Sequence, residues 1–288
     1  MSQSTGSRSL PSRLVIAAFE GWNDAGNAAS SALEHLINMW HAKEIAELDA
    51  EQYYDFQVAR PFTTTDITGQ RHLSWPTTQV FSGHIEQEHE EVLLIQGLEP
   101  SMRWPSYCRE LLRIIKTADA GSLIILGALL ADVPHTRSIP VSSTSNDPEL
   151  RQKLGIEASE YEGPTGIVGV LDSFALSAGI PSVSVWAAAP HYVAHPPSPK
   201  ATMALLNELS SLTEVPIALG DLPDEARAWQ EGVDELAAED PDIAEYVEQL
   251  EKSKDAVDSP DATGEAIARE FERYLRGHDE GKNRPRSA

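Results

Sequence analysis

The feature that most restricts this chain is a repeated alternation between short, continuously apolar runs and segments with helical spacing. "LVIAAF" (Leu14–Phe19) passes through a Gly-bounded loop into an Ala-rich helical stretch that runs to Trp40. "EVLLIQGLEP" and "SLIILGALLAD" are separated by the helix-like "YCRELLRIIKTAD", and "SIPVSST" and "PSVSVWAAA" by "GIVGVLDSFALSAG". A strand without polar alternation is buried on both faces, so the sheet has helices above and below it. The expected fold class is α/β, a three-layer α/β/α architecture. "EIAELD" reads as a strand completing a first strand–helix–strand unit. "FQVARPFTTTDITGQRHLSWPTTQVFSGHIE" alternates β-branched and polar residues around Thr68-Gly69 and Pro76, which predicts antiparallel hairpin strands and a mixed sheet.

Four regions follow from this pattern. Residues 1–12 read as a flexible arm, 13–198 as the α/β/α domain, 199–276 as an acidic helical extension packed on it, and 277–288 as a mobile tail. In the extension, Ala226, Trp229, Val233 and Leu236 form one apolar stripe, and Ile267, Phe271, Tyr274 and Leu275 another. Asp240-Pro241 is a helix start, followed by Ile243, Tyr246, Val247 and Leu250. From Asp221 to Ala288 there are 20 acidic and 9 basic residues, a large share of the chain's net charge of −23. Such a surface repels nucleic-acid backbones and anionic membranes, so neither is an expected partner. One cysteine, Cys108, leaves no intramolecular disulfide and no Cys-rich zinc site. With no signal-like apolar core at the N-terminus, a cytoplasmic protein is expected.

The loop "FEGWNDAGNA" has the outline of a phosphate cradle, with Gly21 and Gly26 spaced G-x-x-x-x-G. A Walker loop needs Lys and then Ser or Thr after the second Gly; Asn27 and Ala28 stand there. Asp24 would repel a phosphate, and no nucleotide cofactor is expected. Asn23 or Asp24 reads as a helix cap and Gly26 as a close-packing site. "HYVAH" spaces His191 and His195 four apart, but the flanking prolines disfavour a helix, and no metal is expected. "ALSAG" around Ser177 lacks the first Gly of a nucleophile elbow and reads as mid-helix.

Open α/β sheets bind ligands beyond the carboxyl ends of their strands. The polar and aromatic residues on those loops form a candidate pocket: Glu20, Trp22 and Asp24 after the first strand, Glu99 and Trp104 in "GLEPSMRWPSYC", His135 and Arg137 in "ADVPHTR", and Glu162 and Thr165 in "YEGPTG". Ser106 reads as the cap of the helix after Glu99. The same residues serve equally well as a salt-bridged rim without a ligand.

"FEGWNDAG", "GLEPSMRW", "LGALLADVPHTR", "YEGPTGIVGVL", "PSVSVWAAAPHYVA" and "FERYLR" together resemble the PAC2 family, that of the proteasome assembly chaperones, in its actinobacterial branch, from about Leu14 to Arg276. The resemblance implies a phosphorylase/hydrolase-like α/β/α fold with a C-terminal helical extension, homo-oligomers, and protein rather than cofactor binding. Archaeal relatives dock on the proteasome through a C-terminal hydrophobic–Tyr–any tail; this sequence closes on "GKNRPRSA", so docking of that kind is not expected. The expected function is a non-enzymatic, homo-oligomeric protein-binding factor, chaperone-like or proteasome-related, with a trimer as the expected assembly. The alternative is a small-molecule enzyme or sensor, hydrolase- or phosphorylase-like, using the strand-end pocket.

Overall fold

The computed structural model describes residues 13–85 and 90–258. Elements are numbered in chain order. The first half contains β1 (Leu14–Glu20), α1 (Ala28–Met39), β2 (Lys43–Glu47), α2 (Ala50–Tyr53), β3 (Phe62–Thr65), β4 (Arg71–Ser74), β5 (Thr78–Ile85) and β6 (Glu90–Leu98). There follow α3 (Trp104–Thr117), β7 (Ser122–Ala131), β8 (Val141–Thr144), α4 (Pro148–Leu154), α5 (Ile167–Ser177) and β9 (Ser182–Pro190). Three helices complete the described chain: α6 (Pro199–Thr213), α7 (Leu222–Glu239) and α8 (Pro241–Asp258).

Seven strands form one mixed sheet in the order β2-β5-β6-β1-β7-β9-β8, and β3 and β4 form a separate two-stranded sheet. The four central strands β6, β1, β7 and β9 are parallel. Their apolar continuity has a direct cause: successive residues enter opposite layers. Leu14, Ile16 and Ala18 face α1 and α6, with Leu33, Leu36, Leu205 and Leu209. Val15, Ala17 and Phe19 face α3 and α5, with Tyr107, Leu111, Ile167 and Leu171. The layered α/β class is as the sequence predicts.

β2 follows β1 and α1 as the expected strand of the first strand–helix–strand unit, but it does not pair with β1. It lies at the sheet edge, antiparallel to β5, and its "KEIAE" is mostly exposed. An edge strand with one solvated face does not need the apolar run a parallel interior strand requires. The helix after Glu99 also begins earlier than Ser106 suggests, at Trp104-Pro105, because proline favours the first helical turn; the Ser106 hydroxyl instead accepts a hydrogen bond from Arg109.

α6 belongs to the core, with Ala201, Leu205, Leu206 and Leu209 fully buried beneath α1 and the sheet. α7 packs on α6 and α8 on α7. The buried stripe of α7 is Ala226, Val233 and Ala237, with Trp229 half-buried, while Leu236 is 63% exposed. Helical geometry accounts for that change: 233 to 237 is one turn and continues the stripe, whereas 236 turns off it. α8 starts as expected, the Asp240 carboxylate accepting the Asp242 N–H at 3.0 Å, and buries Val247. The expected arm 1–12, the stripe Ile267, Phe271, Tyr274 and Leu275, and the tail 277–288 lie outside the described residues.

Candidate functional site

The carboxyl ends of β1, β6 and β7 open onto three loops, and each loop's polar groups have identifiable partners. After β1, the Asp24 side chain turns into the start of α1. Its Oδ1 accepts the N–H groups of Ala29 at 2.7 Å and Ser30 at 3.3 Å, and its Oδ2 accepts the Ser30 hydroxyl at 2.5 Å. These are the donors a helix N-terminus offers an anion. A carboxylate of the chain itself therefore occupies the place a phosphate would take. Burial raises the Asp24 pKa, against the lowering effect of the Ser30 hydroxyl and the two backbone donors. The loop is pinned to β7 by the Ala128 N–H, which donates to the Asn23 carbonyl at 2.8 Å. Gly26, at φ 62°, sits where an added Cβ would lie 2.6 Å from Ser198 Cβ, so the tight turn demands glycine. Glu20 at the β1 terminus is exposed; desolvation by the surrounding chain, then the charges of Asp24 and Glu34, raise its pKa.

Glu99 joins three elements. Its N–H donates to the Glu20 carbonyl at 2.9 Å, which extends the β1–β6 pairing by one residue. Its Oε1 accepts the Asn23 side-chain amide at 2.7 Å and the Ile167 N–H, in the first turn of α5, at 2.8 Å. Asn23 is buried, and its Oδ1 rests against Gly166, where an added Cβ would lie 2.2 Å away. This oxygen has no hydrogen-bond partner among the described residues. Around this junction, Trp22, Tyr161, Glu162 and Thr165 are exposed, and Trp104 is half-buried with its indole N–H bonded to the Pro100 carbonyl at 2.5 Å. The Tyr161–Thr165 loop leads directly into α5.

The loop after β7 points elsewhere. His135 is 1% exposed and fully engaged. Its N–H meets the Tyr192 hydroxyl at 2.7 Å, Nδ1 meets the same hydroxyl at 2.7 Å, and Nε2 meets Asp234 Oδ1 of α7 at 2.9 Å. One proton arrangement satisfies all three: the amide donates to Tyr192, the tyrosine proton goes to Nδ1, and Nε2–H donates to Asp234. That is a neutral imidazole. Burial lowers its pKa against the opposing effect of Asp234. Lys200 of α6 donates to the His135 carbonyl at 2.5 Å and to Gln230 of α7 at 2.7 Å. Arg137 grips α8, its Nε and Nη2 donating to the two oxygens of Asp255 at 2.8 Å each and its Nη1 to Glu251 at 3.2 Å. Thr136 also donates to Glu251, and Tyr246 of α8 to Asp132 at 3.1 Å.

The nine candidate residues therefore divide. Glu99 meets the Trp22–Asp24 loop and the start of α5, close to Glu162 and Thr165 in sequence. His135 and Arg137 fasten the C-terminal helices. Partners absent from the sequence reading are Tyr192, Lys200, Asp234, Glu251 and Asp255. The acidic ones lie on a helical face read as solvated, with no local signal to set them apart. Ser177 donates to the Ser173 carbonyl at 3.0 Å within α5, the back-bonding of a helical serine. Burial pushes the Cys108 thiol up to about 12, where it is no nucleophile. Among the described residues no group of three His, Cys, Asp or Glu side chains is placed to hold a metal ion, and no helix is long and apolar enough to cross a membrane.

A mixed seven-stranded sheet between helical layers, with its strand-end polar groups bound to its own helices, defines a scaffold of the three-layer α/β class. The chain belongs to the PAC2 family, whose profile matches residues 18–237. It is similar to the crystal structure of a PAC2 family protein from Streptomyces avermitilis, with 52% identity and a TM-score of 0.77 over 82% of this chain and 99% of that one. It is also similar to a Mycobacterium tuberculosis proteasome-assembly chaperone homologue, with 47% identity and a TM-score of 0.75 over 81% and 99%. An archaeal proteasome activator from Pyrococcus furiosus shares the fold at 16% identity, TM-score 0.62, over 79% and 94%. Among curated proteins there is no match.

Proposed function

We propose that this chain is a non-enzymatic, homo-oligomeric protein-binding factor with a chaperone-like role toward proteasome proteins. The observation that carries this reading is the 47% identity, along 99% of the relative's length, to a protein described as a proteasome-assembly chaperone homologue. The site geometry supports it from the other side. Catalysis needs a group free to act on a substrate, whereas Asp24, Glu99 and His135 are each committed to two or more internal partners. Arg137 is bound to two carboxylates of α8. A trimer is the expected assembly, and the expected location is the cytoplasm.

Affinity capture of the full chain from its native lysate tests the reading, run beside a metabolite thermal-shift screen. Recovery of proteasome subunits in stoichiometric amounts supports it. A metabolite that raises the melting temperature, with no proteasome subunit recovered, overturns it in favour of a small-molecule enzyme or sensor.

A further inference from the structure

We infer that the β3–β4 hairpin is an arm that docks on the acidic α7–α8 face of a second copy of this chain. The inference rests on the homo-oligomer proposed above and names its contact surfaces. β3 and β4 pair only with each other among the described residues, and every residue of both strands is exposed. Cross-strand partners share a face, so Phe62, Thr64, His72 and Ser74 lie on one side and Thr63, Thr65, Arg71 and Leu73 on the other. Each side thus presents a large apolar residue to solvent, Phe62 at 75% and Leu73 at 53% exposure, and Ile67 at the tip is wholly exposed.

A lone two-stranded hairpin is marginal in water and needs a third strand or a packing surface. This one is nevertheless built to hold its shape. Asp66 Oδ1 accepts the N–H groups of Thr68 at 2.8 Å and Gln70 at 2.9 Å, Oδ2 meets His72 at 2.9 Å, and Gly69 takes φ 84° in the turn. At its base Trp75 packs on Phe56 with ring centroids 4.7 Å apart. A preorganised arm with bare apolar tips is the arrangement that binds without a large ordering cost.

Charge identifies the occupant. The arm carries Arg60 and Arg71, neither ion-paired among the described residues, and its single carboxylate, Asp66, is satisfied within the turn. The chain as a whole is −23, and residues 222–258 hold 13 acidic against three basic residues. That acidic face also has its own uncovered apolar side chain, Leu236, with exposed Glu235 beside it and exposed Glu239 one turn from Glu235. An apolar centre rimmed by acids on one copy fits an arm on another that carries exposed apolar side chains and two arginines, Arg60 at its base and Arg71 near its turn. Arm and seat are different surfaces, so the contact is either exchanged reciprocally about a two-fold axis or repeated head-to-tail, and the head-to-tail form gives a closed ring where its rotation closes.

Sedimentation velocity on the full chain tests this with four proteins: wild type, Phe62→Ser with Leu73→Ser, Arg60→Glu with Arg71→Glu, and the latter pair combined with Glu235→Lys and Glu239→Lys. The expected result is a wild-type oligomer, a dissociation constant raised roughly thirtyfold or more by the apolar pair, as for a central anchor, and similar weakening by the arginine reversal. The four-site charge exchange restores assembly to within a fewfold of wild type. Melting temperatures of all variants stay near wild type, because every altered side chain is exposed. A wild-type oligomer indifferent to the arm variants overturns the arm and leaves the homo-oligomer standing; a monomeric wild type overturns both. Weakening by the arm variants without rescue by charge exchange overturns the α7–α8 seat.

Discussion

His135 and Asp234 stand 99 residues apart in sequence and meet at 2.9 Å, Nε2 to Oδ1, where the loop after β7 receives α7. The pair shows how this molecule uses its strand-end polar residues: a loop placed where open α/β sheets bind ligands instead holds α7 and, through Arg137, α8.

That contact sets a pH dependence. Burial lowers the folded-state His135 pKa below its ordinary 6.5, with Lys200 adding to the lowering and Asp234 and Glu251 opposing it. A histidine lowered on folding binds fewer protons folded than unfolded between those two values. Its contribution is therefore complete above about pH 6.5 and is lost as pH falls toward the lowered value. Protonation would also end the Tyr192-to-Nδ1 hydrogen bond. Protection factors in α7, from which the intrinsic pH dependence of amide exchange has been divided out, should fall on acidification through this window, and the fall should be absent in His135→Asn. An unchanged or rising protection factor in the wild type at the lower pH contradicts the assignment.

His135→Ala and Arg137→Ala should differ. Emptying the buried His135 site leaves a cavity and removes the side chain that links Tyr192 to Asp234, the Tyr192 hydroxyl keeping only the residue-135 N–H, and should cost about 2–4 kcal/mol. Arg137 is a surface clamp, so its loss should leave the melting temperature nearly unchanged while α8 exchanges faster. Equal and large losses for both variants would show that α8 is integral to the core.

Much of the fold was readable because it rests on local signals. The short, Gly-bounded apolar run of Leu14–Phe19 reads as a strand buried on both faces, and Asp240-Pro241 before a helically spaced apolar set reads as a helix start. Other features depend on distant partners. "KEIAE" forms an edge strand whose direction is decided by β5, some 35 residues on. Spacing alone puts Leu236 in the stripe, although Ala237 is the residue that faces inward, because helical spacing tolerates either until the packing partner is known. The Glu99–Asn23–Ile167 junction left one faint sign, Gly166, whose meaning needs the Asn23 side chain beside it.

Gly166→Ala should therefore be costly. Its Cβ would meet Oδ1, Nδ2 and Cγ of Asn23 at 2.2, 2.6 and 2.7 Å, so the Asn23–Glu99 bond must break or α5 must shift. A loss of about 1–3 kcal/mol is expected, as for other overpacked sites. Gly232→Ala is the control: within α7 nothing lies within 4 Å of its added Cβ, and a gain of about 0.5–1 kcal/mol is expected from helix propensity. Chemical denaturation of both variants distinguishes these outcomes, and a neutral Gly166→Ala would contradict the junction.

Mg-ATP should give no calorimetric heat beyond dilution. Asp24 already holds the Ala29 and Ser30 N–H groups at the α1 N-terminus, and Asn27 and Ala28 replace the lysine and hydroxyl a phosphate loop needs. Micromolar binding altered by Asp24→Ala would contradict this.

The protein-binding role itself is tested most directly by native mass spectrometry of the full chain at micromolar concentration, alone and mixed with purified proteasome α-subunits. The expected spectra show a homo-oligomer alone and a mixed complex of defined stoichiometry after mixing. A monomer that forms no mixed species with any α-subunit would contradict the proposed function.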